Sequence, residues 1–175
     1  ASRFPVSVTL SGVQFRHKYL LDTVDGAIKD FNVDPTHLTL ELTESIFMHD
    51  LKVAADRLKK LKDLGVSISV DDFGTGYSSL SYLKKLPVDI VKIDKSFVDD
   101  VTTDPDAASI ITAITTMARS LSLKTIAEGV ENEEQLKILR LLRCDMGQGY
   151  YFSPAMPPGV RGDVGPQIPR YSLDG

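Results

Sequence analysis

Two adjacent acidic residues end an apolar segment and directly precede a Gly-rich turn. Asp71 and Asp72 follow the apolar segment 66–70, and Gly74 and Gly76 come next. Neighbouring strand residues point to opposite faces, so Asp72 can join Asp71 only beyond the strand end, where glycine permits the required backbone angles. Two such carboxylates can share a pair of divalent cations roughly 3.5–4 Å apart, which suits phosphodiester hydrolysis. The alternative is that one Asp caps a helix and the other is a solvated turn residue.

Charged residues also end other apolar segments. Glu41 ends one such segment with Glu44 three residues later, and Glu128 ends another. A helix N-terminus favours acidic residues, which would explain Glu44 without any chemistry. Lys92 lies between two apolar residues, and burial of a lysine is costly unless carboxylates surround it. We therefore interpret Lys92 as a functional residue near the acidic strand ends, with a structural ion pair to Asp94 as the alternative.

Apolar segments rich in Val, Ile and Leu alternate with longer segments of helical period, which is typical of βα units and a parallel sheet. We predict six strands, at residues 5–10, 37–43, 66–71, 89–93, 124–128 and 146–152. Apolar residues at helical spacing predict two buried helix faces, namely Leu51, Ala54, Leu58 and Leu61, and Ile110, Ile114, Met117 and Leu121. Helix caps are predicted at Asp104 with Pro105 and at Asn132 with Gln135.

Short strands buried on both faces, each followed by a helix, suit an open doubly wound sheet or a (β/α)8 barrel. The barrel is favoured because polar residues at the C-terminal strand ends would converge on one mouth, where barrel enzymes hold their active sites. These residues are Thr9, Glu41, Asp71, Lys92, Glu128 and Gln148. Since a closed barrel has eight strands, we expect two more strands upstream of Ala1. We predict one α/β barrel domain over residues 1–157 and an irregular Pro/Gly-rich tail over 158–175.

Composition excludes several classes of function. The chain has 175 residues and a formal charge of −4, so we expect a soluble domain that binds no nucleic-acid polymer. It has no apolar run that could span a bilayer and no signal-peptide pattern, which predicts a cytoplasmic location. The only cysteine is Cys144, which excludes an intramolecular disulfide and a Cys-rich zinc site. His17, His37 and His49 show no paired spacing and are interpreted as surface or capping residues.

Five motifs follow one another in the order found in the EAL domain, a bacterial family that the chain resembles up to Pro157. They are Glu41-Leu-Thr-Glu-Ser45, Asp71-Asp-Phe-Gly-Thr-Gly-Tyr-Ser-Ser79, Val91-Lys-Ile-Asp94, Ile126-Ala-Glu-Gly-Val-Glu131 and Gln148-Gly-Tyr150. The resemblance implies a (β/α)8 barrel that hydrolyses cyclic di-GMP to linear pGpG with two Mg²⁺ or Mn²⁺ ions.

The resemblance also implies roles for individual residues. The metal ligands would be Glu41, Asp71, Asp72 and Glu128, with Asp71 bridging the two ions. Lys92 would hold the nucleophilic water, Asp94 would orient Lys92, and Glu44 would anchor the Gly-rich loop after Asp72. Residues near the substrate would be Ser11, Gln14, Asp94, Glu131, which would approach a guanine, and Gln148.

The sequence departs from the family pattern in two places. The Glu-Ala-Leu segment that names the family, whose Glu is a metal ligand, is expected upstream of Ala1. Thr9 stands where the family has Asn, and a Thr hydroxyl extends less far than an Asn carbonyl, so we expect it to reach a metal poorly or through water. These departures leave a second hypothesis open, a degenerate EAL domain that binds cyclic di-GMP or a protein partner without hydrolysis. A homodimer and linked GGDEF or sensor domains also remain open.

Overall fold

The computed structural model describes residues 5–47, 50–75, 80–154 and 171–173. It contains two compact units, an N-terminal unit over Ala1–Ile90 and a C-terminal unit over Val91–Gly175. Each unit is built from strands that alternate with helices, as predicted from the sequence.

Three parallel strands form the sheet of the N-terminal unit. They are β1 (Val6–Leu10), β2 (Leu38–Thr43) and β3 (Ser67–Phe73), and β2 pairs with both neighbours. The helices of this unit are α1 (Gly12–Arg16), α2 (Leu20–Asp30), α3 (Leu51–Asp63) and α4 (Leu80–Leu83). Short 3₁₀ helices at Pro35–His37 and Glu44–Phe47 precede and follow β2.

The sheet of the N-terminal unit has one apolar and one polar face. In β2, leucines at 38, 40 and 42 alternate with Thr39, Glu41 and Thr43. Strand residues two apart share a face, so the leucines lie on one side and the polar residues on the other. Leu40 and Leu42 are buried, yet Thr39 and Glu41 are buried as well. The sequence prediction of strands buried on both faces therefore holds for β2, but one of its faces is polar.

Strand β1 departs from the expected burial. Val6 is 50% exposed and Val8 is 42% exposed, whereas a central strand of a parallel sheet is covered on both faces. Side chains of β1, β2 and α2 line an open apolar groove of about 570 Å³. Among the described residues, β1 pairs only with β2, so it is an edge strand.

The start, the buried face and the end of helix α3 each follow from particular residues in its sequence. The Asp50 side chain accepts a hydrogen bond from Val53 N at 3.0 Å and so caps the first turn. Ala54, Leu58 and Leu61 are buried on one face, which confirms the predicted stripe. The helix ends before Gly65, whose φ of +91° is a left-handed conformation that glycine adopts without strain.

The C-terminal unit contains the remaining strands and helices. They are β4 (Ile90–Ile93, which begins at the last residue of the N-terminal unit), α5 (Lys95–Asp100), α6 (Pro105–Ser120), β5 (Lys124–Glu128), α7 (Glu133–Leu141), β6 (Met146–Gln148) and β7 (Tyr171–Ser172). Strand β6 pairs parallel with β5 and antiparallel with β7. Both predicted helix caps are present, with Asp104 accepting from Asp106 N and Asn132 from Gln135 N.

Two details of this unit differ from the sequence prediction. The buried face of α6 includes Ala107, Ile111, Ile114 and Ala118, while Ile110 is 38% exposed. The small alanines permit close packing on that face, and an assignment based on large apolar residues alone overlooked them. The sixth predicted strand, 146–152, ends at Gln148 because the chain then turns back, and Tyr151 N donates to Val130 O at 2.9 Å.

The predicted tail lies largely outside the described residues, as do His49 and residues 76–79 of the Gly-rich loop. The part of the tail that is described forms β7, followed by the buried Leu173. The boundary at residue 157 stays a prediction. In the described part of the chain, no helix is both long and apolar enough to cross a bilayer.

Candidate functional site

The polar face of β1–β3 gathers several of the predicted metal ligands. Thr9 pairs in register with Glu41, and Glu41 pairs with Ser69. Asp71 lies two residues after Ser69, so it shares this face. Glu41 is 6% exposed and Ser69 is fully buried. The fold thus brings Thr9, Glu41 and Asp71 to one side of the N-terminal unit.

Asp72 leaves the strand alternation through its own backbone. Its φ is +54°, a left-handed conformation that Asp adopts more readily than most residues. Its N–H donates to Asp71 Oδ1 at 3.2 Å, and Thr75 Oγ1 donates to Asp72 O at 2.9 Å. From the sequence, we expected the glycines after Asp72 to adopt the required backbone angles, and Gly74 does have a φ of +101°. The structure places the first left-handed residue at Asp72 itself.

Glu44 is buried in the 3₁₀ turn after β2 and faces a tyrosine that the sequence analysis did not single out. Glu44 is 6% exposed and Tyr82, in α4, is 7% exposed. Burial raises the pKa of the Tyr82 phenol, and the negative charge of the nearby Glu44 carboxylate adds to the effect. Glu44 and Tyr82 thus form one buried polar group. The predicted contact of Glu44 with the Gly-rich loop falls on residues 76–79, which lie outside the described residues.

Two residues predicted near the substrate form a helix cap. Ser11 Oγ accepts from Gln14 N at 3.2 Å, and Gln14 Oε1 accepts from Ser11 N at 2.8 Å. This reciprocal pair is a capping box at the start of α1. The Ser-x-x-Gln spacing in the sequence is its signal. A contact of either residue with substrate stays a prediction.

Lys92 lies in β4 and forms a buried ion pair within the C-terminal unit. Its Nζ is 2.7 Å from Glu128 Oε1, and the lysine side chain is 4% exposed. Glu128 ends β5 and pairs in register with Gln148 of β6, so Glu128 and Gln148 share a face. A buried lysine requires a carboxylate partner of this kind. The structure therefore groups three of the predicted site residues in this unit.

Asp94 has a different partner from the one considered in the sequence analysis. Its Oδ1 accepts from Ser96 N at 2.9 Å and from Ser96 Oγ at 2.5 Å, so Asp94 caps α5. Among the described residues, Lys92 forms its ion pair with Glu128 rather than with Asp94, which was the alternative. The role of Asp94 in orienting Lys92 or contacting substrate stays a prediction.

Glu131 lies after β5, where its carboxylate contacts Lys95. The Glu131 Oε1 to Lys95 Nζ distance is 2.5 Å, and both side chains are about half exposed. The hydrogen bond to Glu131 raises the pKa of Lys95, so the lysine keeps its charge. Glu131 could be predicted from the sequence, whereas Lys95 was not predicted.

The donor atoms on the polar face of the N-terminal unit fit a hard divalent cation. They are carboxylate and hydroxyl oxygens, which Mg²⁺ and Mn²⁺ prefer. Ser69 Oγ is buried and has no hydrogen-bond partner among the described residues. Buried polar atoms are almost always satisfied, by protein, water or an ion. This unsatisfied hydroxyl beside Glu41 is consistent with a further polar group on that face.

Comparison with known proteins identifies a family. Residues 1–155 match the family model described as EAL domain. The chain is 45% identical over 152 residues to the bifunctional diguanylate cyclase/cyclic di-GMP phosphodiesterase MucR of Pseudomonas aeruginosa, covering 87% of the chain and 22% of that protein. It is 41% identical over 155 residues to the cyclic di-GMP phosphodiesterase NbdA of the same organism, covering 89% of the chain and 20% of that protein. The chain thus spans about a fifth of the length of these relatives.

Solved structures are similar over the same residues. A MucR phosphodiesterase in complex with c-di-GMP matches with a TM-score of 0.85 and 45% identity, over 88% of this chain and 62% of that one. A manganese/cy-diGMP complex of BlrP1 from Klebsiella pneumoniae matches with a TM-score of 0.79 and 25% identity, over 86% of this chain and 38% of that one. The predicted fold class and family resemblance are confirmed.

Proposed function

Because the chain belongs to the EAL domain family, we propose that it hydrolyses cyclic di-GMP to linear pGpG with the help of Mg²⁺ or Mn²⁺. The observation that carries this proposal is the buried ion pair of Lys92 with Glu128, 2.7 Å apart. The activities named for MucR and NbdA support the same reaction. An ion pair that served stability alone could be replaced by apolar residues at little cost, so its presence beside a strand end favours function.

Metal ions would bind carboxylates and supply positive charge. The residues proposed as ligands are Glu41, Asp71, Asp72 and Glu128. Bound divalent cations would neutralise charge on the phosphate oxygens of the substrate, which this acidic chain, with a formal charge of −4, cannot do by itself.

Lys92 would hold the attacking water and stabilise charge that develops in the transition state. Its ammonium lies 2.7 Å from Glu128 Oε1, which holds it in position. A lysine ammonium can donate to the oxygen of a water and to an oxygen of the phosphate. Burial strengthens such hydrogen bonds because the local dielectric constant is low. Glu128 would keep Lys92 charged and in position.

The experiment that tests this proposal is to incubate the purified chain with cyclic di-GMP and Mn²⁺ and to measure pGpG by chromatography. Formation of pGpG supports the enzyme. Binding of cyclic di-GMP without formation of pGpG would favour the second candidate function, a receptor that does not hydrolyse its ligand. The observation that favours this receptor is the identity of residue 9, which is Thr9. Thr9 stands directly beside Glu41 in the β1–β2 register, where the resemblance implies a metal-binding Asn.

Thr9→Asn should raise activity in a polypeptide that also carries the Glu-Ala-Leu segment. The Asn carbonyl can reach a cation bound at Glu41, which lies in register with residue 9, whereas the Thr hydroxyl reaches less far. We expect a higher rate of pGpG formation and a lower Mn²⁺ concentration for the half-maximal rate. The measurement is a Mn²⁺ titration of both variants.

Melting temperatures serve as the control for Thr9→Asn, because Thr9 is exposed and the fold should tolerate the change. If neither the rate nor the metal requirement improves at equal stability, residue 9 does not limit the site. Activity of the unchanged polypeptide then shows whether Thr9 is an adequate ligand or catalysis has been lost for another reason.

A further inference from the structure

The C-terminal segment of the chain adds a strand of opposite direction to the sheet of the C-terminal unit. Strand β6 pairs parallel with β5 on one side and antiparallel with β7 on the other, with Met146 opposite Ser172 and Gly147 opposite Tyr171. The match to the EAL family ends at residue 155, so β7 comes from a part of the chain outside that match. Membership of the family therefore does not account for this strand.

Leu173 attaches the C-terminal segment to the sheet. Its N–H donates to Asp145 O at 2.8 Å, and the residue is 5% exposed. A Cβ built on Gly147 would lie 3.5 Å from Leu173 Cδ2, so the leucine side chain lies over the backbone of β6. Asp145 in turn accepts hydrogen bonds from Thr125 N and Thr125 Oγ1, each at 2.8 Å. The segment is thus joined to a part of the sheet that is itself held to β5.

The C-terminal segment covers an edge of β6 that could otherwise accept another strand. Asp145 O accepts from Leu173 N, and Gly147, two residues later, presents its N–H to the same edge. Unpaired N–H and C=O groups at a sheet edge are the groups to which an extended peptide adds as a further strand. Strand β7 has only two residues, and so small an attachment can open locally while the rest of the sheet stays folded.

We propose that the outer edge of β6 is a binding site for an antiparallel extended segment with an apolar residue at the position of Leu173, and that residues 171–173 are its intramolecular occupant. The tethered segment competes with any free peptide, because a tether raises its local concentration to about the millimolar range. Occupancy of the edge also supports β6, whose Gln148 lies in register with Glu128 of the candidate site. The strand-binding edge is independent of the proposed function.

The test is amide hydrogen exchange, followed by NMR, of the unchanged full chain and of Leu173→Asp. The Leu173 amide of the unchanged chain donates to Asp145 and should exchange at least about tenfold more slowly than a free peptide amide. Leu173→Asp places a charge at a buried position, so the segment should detach and the Gly147 amide should exchange at least about tenfold faster. Leu173→Ala serves if Leu173→Asp fails to fold, and it should accelerate the same amide by a smaller factor.

Leu141→Asp is the matched control, because Leu141 is 80% exposed in the same unit and gains the same charge without a loss of burial. It should leave exchange at Gly147 unchanged. A synthetic peptide with the sequence of residues 166–175, added at about 1 mM to the Leu173→Asp chain, should restore protection of Gly147, whereas the same peptide carrying Leu173→Asp should not. Equal exchange at Gly147 in the unchanged and Leu173→Asp chains, equal acceleration in Leu141→Asp, or no rescue by the peptide overturns the inference.

Discussion

Replacing Lys92 with Ala is expected to lower turnover of cyclic di-GMP by about two to four orders of magnitude while it leaves ligand affinity largely unchanged. The side chain is 4% exposed and pairs with Glu128 at 2.7 Å, so its ammonium is held in a fixed position. A loss of rate without a loss of affinity marks an interaction made mainly in the transition state. The measurement is the single-turnover rate of pGpG formation together with the dissociation constant, in a polypeptide that also carries the Glu-Ala-Leu segment.

Stability must be measured in parallel, because loss of Lys92 leaves the Glu128 carboxylate without its cation. Removal of one partner of a buried pair is destabilising. Lys92→Met removes the charge and retains more of the packing than Lys92→Ala, so it keeps the test informative if Lys92→Ala fails to fold. Lys62→Ala is the control, because Lys62 pairs with Asp89 at 2.6 Å in a more exposed position. If Lys92→Ala unfolds the chain and Lys92→Met retains full turnover, the ion pair is structural.

The order of strands and helices could be predicted from the sequence because apolar periodicity reports burial directly. Leu58 and Leu61 in α3 illustrate this, since both are fully buried on the predicted face. The polarity of one sheet face was not predicted, although the alternation in Leu38-Thr-Leu-Glu-Leu-Thr43 carries the signal. Alternation normally indicates a solvated face, whereas here Thr39 and Glu41 are buried. Burial of a polar face depends on tertiary contacts that local sequence does not encode.

The candidate site could be predicted in part, because some of its residues are recognisable from their position at strand ends. Carboxylates at strand ends are visible as sequence positions, and parallel register then places Glu41 and Asp71 on one face. Ser69 and Tyr82 were missed because serine and tyrosine are common in surface segments, so their types do not predict burial. Lys95 was missed because its contact to Glu131 spans 36 positions in the sequence. Interactions of this kind require the fold before they can be recognised.

Removal of divalent cations should weaken cyclic di-GMP binding by at least about tenfold, which corresponds to roughly 1.4 kcal/mol. The ligand carries two phosphates, and the residues proposed to face them are predominantly acidic in a chain with a formal charge of −4. Without cations, phosphate and carboxylate charges repel each other at close range. Calorimetry with Mg²⁺ or Mn²⁺ and then with excess EDTA measures this effect. Equal affinity under both conditions would exclude a metal-bridged site. The chain would then be a receptor that binds cyclic di-GMP without metal ions.

Asp72→Asn provides a sharper form of the same test. Asn adopts the left-handed backbone conformation as readily as Asp, so the φ of +54° at residue 72 should be retained while one negative charge is lost. If Asp72 binds a cation, the Mn²⁺ concentration that restores half of the cyclic di-GMP binding after EDTA treatment should rise several-fold, because a neutral amide is a weaker ligand than a carboxylate. Asp25→Asn is the control, since Asp25 forms a solvent-accessible ion pair with Lys29 at 2.6 Å and should leave the Mn²⁺ requirement unchanged. An equal requirement in both variants would mean that Asp72 is a turn residue, the alternative that its place before a Gly-rich loop first suggested.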